Sequence, residues 1–267
     1  MRYRHNPTFL LPVFANDIEM TEPKAKYGRH TGTGSANITS TSSTSSPSSS
    51  LPQPALLGYQ PLTLLSIISL TGLPPAQYQH DTPPPKGKGL GLYKTLKEAR
   101  RKEGRPVVFF PEGTTGNGRA VLKFGKGVLG EGDVGGDDEG IVWVKFFRHS
   151  PPTPFSPSAT CPLPTPLKHA LLSTLFTPSL FPHRSLHIRT LHPAASPSSP
   201  SFLPGEILAA QPGGLEGQLG MDKEGGGGVW REAVGVVLAE TGRVRRVRGM
   251  GWVEKKAFLE YWAGNRK

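Results

Sequence analysis

The sequence predicts an α/β fold: a mixed sheet flanked by helices, with long disordered insertions rich in Ser, Pro and Gly. Three observations carry that prediction. Val107 to Phe110 is a short apolar run of β type fenced by Pro106 and Pro111, which reads as a buried strand. Just before it, Leu92 to Glu103 sets Leu92, Leu96 and Ala99 at helical spacing, and Gly104 and Pro106 supply a stop, so helix and strand form an α–β unit. Finally, the 267 residues include 33 Gly and 28 Pro, and only 36% are apolar. Much of the chain is therefore loop, and the core is smaller than the length suggests.

The other elements follow in order. Residues 1–30 read as a partial N-terminal segment of the domain. Its apolar centre, Phe9 to Phe14, is short, is broken by Pro12 and lacks a small-residue cleavage site. That makes a poor signal peptide and a better fragment from inside a domain. Residues 31–50 are a Ser/Thr tract that buries too little surface to offset its ordering cost, and are expected to form a disordered linker. The core region spans 51–192. Within it, Leu62 to Leu73 (LTLLSIISLTGL) is too short to cross a membrane and is fenced by Pro61 and Pro74. A core helix or strand is one reading, and a segment lying in the membrane plane is the other. Pro83 to Gly91 is linker-like. The basic face of the following helix (Lys94, Lys97, Arg100, Arg101 and Lys102) is expected to be solvated, with a membrane-facing role as the other reading.

Gly125 to Gly130 satisfies G-x-G-x-x-G, but that pattern needs a helix behind it to receive a pyrophosphate, and the EGDVGGDDEG that follows has no helical period. Glu131, Asp133, Asp137, Asp138 and Glu139 lack EF-hand spacing and read as a solvated loop. Ile141 to Phe147 is a second strand, Pro151 to Pro166 is irregular, Leu167 to Phe176 suits a short amphipathic helix, and Ser185 to Leu191 alternates as a half-buried strand. His183, His187 and His192 come near that strand without a carboxylate cluster, so no metal is assigned to them. Residues 193–228 read as low-complexity loops. Residues 229–267 form a C-terminal helical segment. It opens with a helix over Val229 to Thr241 stopped by Gly242. Arg243, Arg245, Arg246 and Arg248 then alternate with Val244 and Val247, as a basic patch or a solvated edge strand. A last helix, roughly Val253 to Trp262, is expected to dock its aromatics on the core.

The chemistry lies in Pro106 to Phe124, PVVFFPEGTTGNGRAVLKF. Open α/β sheets bind ligands in loops at the carboxyl ends of strands, and Pro111, Glu112, Gly113, Thr114 and Thr115 open such a loop. Glycine permits close backbone approach and positive φ, so N–H groups around Gly113 and Thr114 can turn inward on a phosphate. Glu112 would repel that phosphate. Its role is rather to accept hydrogen bonds from loop amides or to position a basic residue, with Arg119 and Lys123 nearest; a plain structural turn is the alternative. F-P-E-G-T after a β-run resembles the third signature block of the glycerolipid acyltransferases, which include the lysophosphatidic acid acyltransferases. FPEGTTGNGRAVLKF is similar to their fungal-type, oleoyl-CoA-using members. The resemblance covers about residues 90–262 and extends to the first fourteen residues, which hold an N-P-x-F segment at Asn6 to Phe9.

That resemblance implies a glycerolipid-acyltransferase-like sheet, acyl-CoA as co-substrate with no further cofactor, and a lysophosphatidic acid or related lysophospholipid as acceptor. It also implies a membrane surface as partner, at the endoplasmic reticulum or lipid droplet. The acceptor phosphate would be held by Pro111, Glu112, Gly113, Thr114, Thr115 and Arg119. Thr115 stands where many relatives have arginine. The family's base is a His with an Asp five positions later, taking the proton of the attacking hydroxyl. None of the eight histidines here has that partner: His5 is followed there by Leu10, His30 by Ser35, His80 by Pro85. The arginine of the second block also has no match before Leu92. No catalytic residue is therefore assigned. The expectation is an acyltransferase-type domain lacking its N-terminal catalytic block and inactive alone, with a non-catalytic phospholipid-binding protein as the alternative. A net charge of +11 favours anionic partners, but no stacking-aromatic or zinc signature supports nucleic acid, and none is expected. The single cysteine, Cys161, excludes an intrachain disulfide and a cysteine-based metal cluster.

Overall fold

The structure, a computed structural model, describes residues 6–15, 53–70, 72–78, 91–116, 118–130, 133, 141–149, 186–214 and 225–264. It is mixed α/β, built from small sheets and a few helices.

The main sheet is organised around β1 (Thr8–Ala15), in which Leu10, Val13, Phe14 and Ala15 are fully buried. β2 (Leu56–Leu62) runs antiparallel along one edge, from Phe9↔Leu62 to Phe14↔Leu56. The opposite edge is shared by two short parallel strands. β3 (Gln77–Tyr78) pairs with Phe14 and Ala15, and β4 (Val107–Phe109) pairs with Thr8 to Leu10. Pro12 lies in the gap between them. Thr8 and Phe14 donate their amides to Pro106 and Ala76 on this edge, so the even-numbered amides of β1 point that way. The donor that Pro12 lacks is thus missing where no strand requires it, and a proline sits in a central strand at no cost to the ladder. β4 itself is half-buried rather than buried, and Phe110 after it is exposed.

α1 (Leu64–Ser69) is capped by the Thr63 hydroxyl, which accepts from the Ser66 amide. The run that suggested a core element is not one: Leu64 and Leu65 are 55% and 67% exposed, because six residues are too few to present a full apolar stripe inward. Among the described residues no helix is long and apolar enough to cross a membrane. α2 (Leu96–Glu103) begins four residues later than its periodicity predicts. Tyr93 is held instead in a backbone bridge to Tyr59 (2.7 and 2.9 Å), and Thr95 caps the helix by accepting from the Glu98 amide. Asp133, read as a solvated loop acid, is in fact a second cap. It accepts from the Leu96 amide (2.7 Å) and the Tyr59 hydroxyl (2.8 Å), and burial pushes its carboxyl up.

β5 (Ala120–Val121) leads to β6 (Lys145–His149), which pairs antiparallel with β7 (Leu186–Thr190). β6 starts later than expected because the Val142 amide and carbonyl are taken by the Ser198 and Ser196 hydroxyls. The 193–228 stretch is more than loop. It contains a 3-10 turn at Pro193–Ala195, α3 (Pro204–Ala209) and the start of α4 (Gly225–Gly242). Pro204 suits a first helical turn, whose amide would be unpaired anyway, and Leu208 is fully buried. α4 is the core helix: Ala233, Val234, Val236, Val237 and Ala239 are buried beside Phe124, Phe146 and Phe202. That burial overrides the weak helix propensity of its opening glycines. After it come β8 (Arg245–Arg246) and α5 (Trp252–Gly264). In α5, Trp252 and Val253 are buried, but Phe258 and Tyr261 are exposed rather than docked on the core. The expected helix over 167–176, the tracts over 31–50 and 151–166, His183, and the acids Glu131, Asp137, Asp138 and Glu139 lie outside the described residues.

Candidate functional site

The loop after β4 folds back onto the gap in the main sheet. The Gly113 amide donates to the Phe110 carbonyl (3.1 Å), and Gly113 has φ +63°, a region that costs other residues roughly 1–2 kcal/mol. A Cβ there would stand 3.2 Å from Pro12 Cγ and 3.7 Å from Pro75 Cγ. Glycine thus serves both the turn and the close approach to the sheet. The Gly113 amide, expected to turn inward on a phosphate, is thus spent inside the turn on Phe110; Pro111 to Thr115 are contiguous in this turn, and Arg119 is exposed just before β5.

Glu112 takes the role of amide acceptor. Its Oε1 accepts from the Leu122 N–H at 3.2 Å, and its Oε2 faces Gly116. The residue is only partly covered, but its carboxyl group lies deep, and burial pushes it up to about 7. The cations whose charges act on it are Arg246 and Lys255, not the Arg119 and Lys123 nearest in sequence.

Both cations arrive by one piece of strand register. β5 pairs in parallel with β8, Ala120↔Arg245 and Val121↔Arg246. The Val247 amide then donates to Val121 O, and the Lys123 amide to Met250 O, each at 2.8 Å. This lays residues 247–251 along 121–123 and starts α5 beside the loop, with the Gly251 amide capped by Glu254 (2.7 Å). In the first turn of α5, Lys255 Nζ donates to Thr114 Oγ1 (2.8 Å), Thr115 O (2.6 Å) and Thr115 Oγ1 (3.3 Å). Arg246 is not a solvated edge residue. It donates to Glu232 Oε2 from Nε (3.2 Å) and Nη2 (2.7 Å), and its guanidinium lies 4.8 Å from the centre of the Phe124 ring. Glu232, in α4, also lies 3.6 Å from Arg231 Nε.

Sequence reasoning missed Lys255, Arg246 and Glu232. Arg231, Glu232 and Gly235 within the otherwise apolar stretch Val229 to Ala239 were the available signal, since a glycine inside a helix often marks a close approach. Gly125 to Gly130 form a turn that returns through Asp133 to cap α2, a structural role. His187 is exposed, and His192 accepts from the Ala194 amide through Nδ1. The described residues hold no cluster suited to a metal ion. What remains is a hydroxyl-bearing loop with a positive-φ glycine and the Lys255 ammonium in contact with its hydroxyls. Compared with family models, curated proteins and solved structures, the chain matches none.

Proposed function

We propose that this chain is an acyltransferase-type domain that holds the phosphate end of a lysophospholipid. Its parent reaction is acyl transfer from acyl-CoA to lysophosphatidic acid or a related lysophospholipid at a membrane surface. The observation that carries this reading is the Pro111–Thr115 loop, with Gly113 at positive φ and the Thr114 and Thr115 hydroxyls gathered at the carboxyl end of β4. Its F-P-E-G-T sequence supports the acyltransferase class, and the fungal-type likeness suggests the endoplasmic reticulum or lipid droplet. No histidine here has an aspartate five residues on, so the expected behaviour is acceptor binding without turnover. Calorimetric titration with lysophosphatidate tests the reading. Binding by the wild type and none by Gly113→Val supports it, whereas equal binding by both, with circular dichroism unchanged, rules the site out.

A non-catalytic phospholipid-binding protein is the second reading, favoured by the exposed Leu64 and Leu65 of α1 together with the net charge of +11. Cations near an anionic surface contribute about 1 kcal/mol each. Co-sedimentation with phosphatidate or phosphatidylserine liposomes tests it, and equal binding to neutral liposomes in high salt removes the electrostatic argument.

A further inference from the structure

We infer that Lys255 is the positioning residue of this loop: it orients the Thr114 and Thr115 hydroxyls as donors to a phosphate monoester and supplies the charge that selects one. The inference rests on the reading of Pro111–Thr115 as a phosphate site, and extends that site to a helix more than a hundred residues away in sequence. An ammonium group only donates hydrogen bonds. Each hydroxyl oxygen that accepts from Nζ, at 2.8 Å for Thr114 and 3.3 Å for Thr115, must therefore aim its own hydrogen elsewhere. Thr114 spends that hydrogen on a long contact of 3.5 Å to the Leu73 carbonyl, a partner a better acceptor would displace. The third contact, 2.6 Å to the Thr115 carbonyl, fixes the backbone at the same point. Lysine contact makes both hydroxyls better donors, because hydrogen bonds in a chain polarise one another. The cation need not touch the ligand: it lies one oxygen behind it.

Placement supports this role over that of a simple tether. Lys255 lies in the first turn of α5, whose entry is already fixed by the Lys123–Met250 and Val247–Val121 backbone bonds and the Glu254 cap. The helix is thus docked without the lysine, and the buried Trp252 and Val253 add to that docking. The ammonium faces the hydroxyl side of the loop, while Arg246 is engaged by Glu232. Lys255 is the cation in direct contact with both hydroxyls.

The test titrates the full 267-residue chain with lysophosphatidate, a phosphate monoester, and with lysophosphatidylcholine, whose phosphodiester is balanced by a choline. Lys255→Met should weaken lysophosphatidate binding by about ten- to a hundredfold, the range of one charge-assisted contact, and leave lysophosphatidylcholine unchanged. Lys255→Arg, which keeps charge and donors, should recover most of the loss, and a Thr114→Val/Thr115→Val double variant should match Lys255→Met. Combining all three changes should add little, because the groups act as one unit. Wild-type affinity in Lys255→Met overturns the inference and leaves the loop reading standing if Gly113→Val still abolishes binding. Equal losses for both phospholipids reduce Lys255 to a structural tether and also overturn it. If Lys255→Met fails to fold, the threonine double variant decides: wild-type affinity there overturns the inference. Failure of the wild type to bind lysophosphatidate removes the loop reading and the inference together.

Discussion

Arg246 occupies the space that a side chain on Gly235 would need: a Cβ there would lie 1.7 Å from Nη1 and 2.1 Å from Cζ. An arginine tip is flexible, but this one bonds Glu232 through two nitrogens and lies on Phe124. Gly→Ala inside a helix ordinarily gains about 1 kcal/mol. Here the methyl must break a buried ion pair, whose loss typically costs about 3–5 kcal/mol. Gly235→Ala should therefore destabilise by roughly 2–4 kcal/mol in urea unfolding. A stabilised variant would refute the packing described here.

Glu112 should give the protein a pH-dependent stability of unusual sign. Its carboxyl rises from 4.5 to about 7 on folding because it is buried, so the folded state binds the proton more tightly than the unfolded chain. Its contribution is fully present below about pH 4.5 and is lost as pH rises to about 7, a span worth roughly 3 kcal/mol at most. Glu112→Gln keeps an acceptor for the Leu122 amide and removes the titration. The difference in urea midpoint between variant and wild type should therefore grow in the variant's favour from pH 4.5 to 7.5. A constant difference across that range contradicts the buried carboxyl.

Gly104 and Gly113 share a positive φ, +58° and +63°, but only Gly113 has neighbours where a Cβ would be. Gly104→Ala should cost about 1 kcal/mol of strain and leave lysophosphatidate affinity alone. Gly113→Ala should lower stability by more, because its methyl meets Pro12, and should also weaken binding. Parallel melts and titrations of the two variants separate backbone strain from loss of a site. Equal effects of both on binding would mean that the loop has no special role.

Purified chain given labelled oleoyl-CoA and lysophosphatidate should show no transfer above background. Without a positioned base the acceptor hydroxyl remains a poor nucleophile, and general-base catalysis is typically worth ~10²–10⁴-fold. Adding an N-terminal extension that bears H-x-x-x-x-D should restore transfer, and replacing its histidine by alanine should remove it. Robust turnover by the 267 residues alone would show that another group, such as His80 beside Asp81, serves as the base.

The loop was legible because its signals are local: an apolar run, then proline, glycine and hydroxyls within nine residues. The partners of that loop were not. β5 and β8 are two residues each, too short to show a period, and they join parts of the chain 125 positions apart. Lys255 therefore carried no mark in the sequence that set it apart from other surface lysines. Arg246 read as one of four similar arginines until packing placed it under α4. β1 was obscured by Pro12, since a proline argues against a strand unless the empty edge beside it is known. In α5 the apolar positions suggest a docking face, yet Trp252, one residue before the expected start, makes the buried contact with Phe14 at a ring distance of 4.7 Å.

The gap at Pro12 also matters before the protein is complete. β1 is made before its partner β4, which lies 99 residues later, at Val107 opposite Thr8. At ribosomal speeds of about 5–20 residues per second, an apolar strand then waits on the order of ten seconds for that neighbour. During that wait its exposed edge could template pairing with another nascent chain. A proline in the middle of the strand interrupts the row of donors and makes a poor template. The residue that leaves room for the Gly113 loop in the finished fold is thus also the one that breaks the donor row of the unfinished strand.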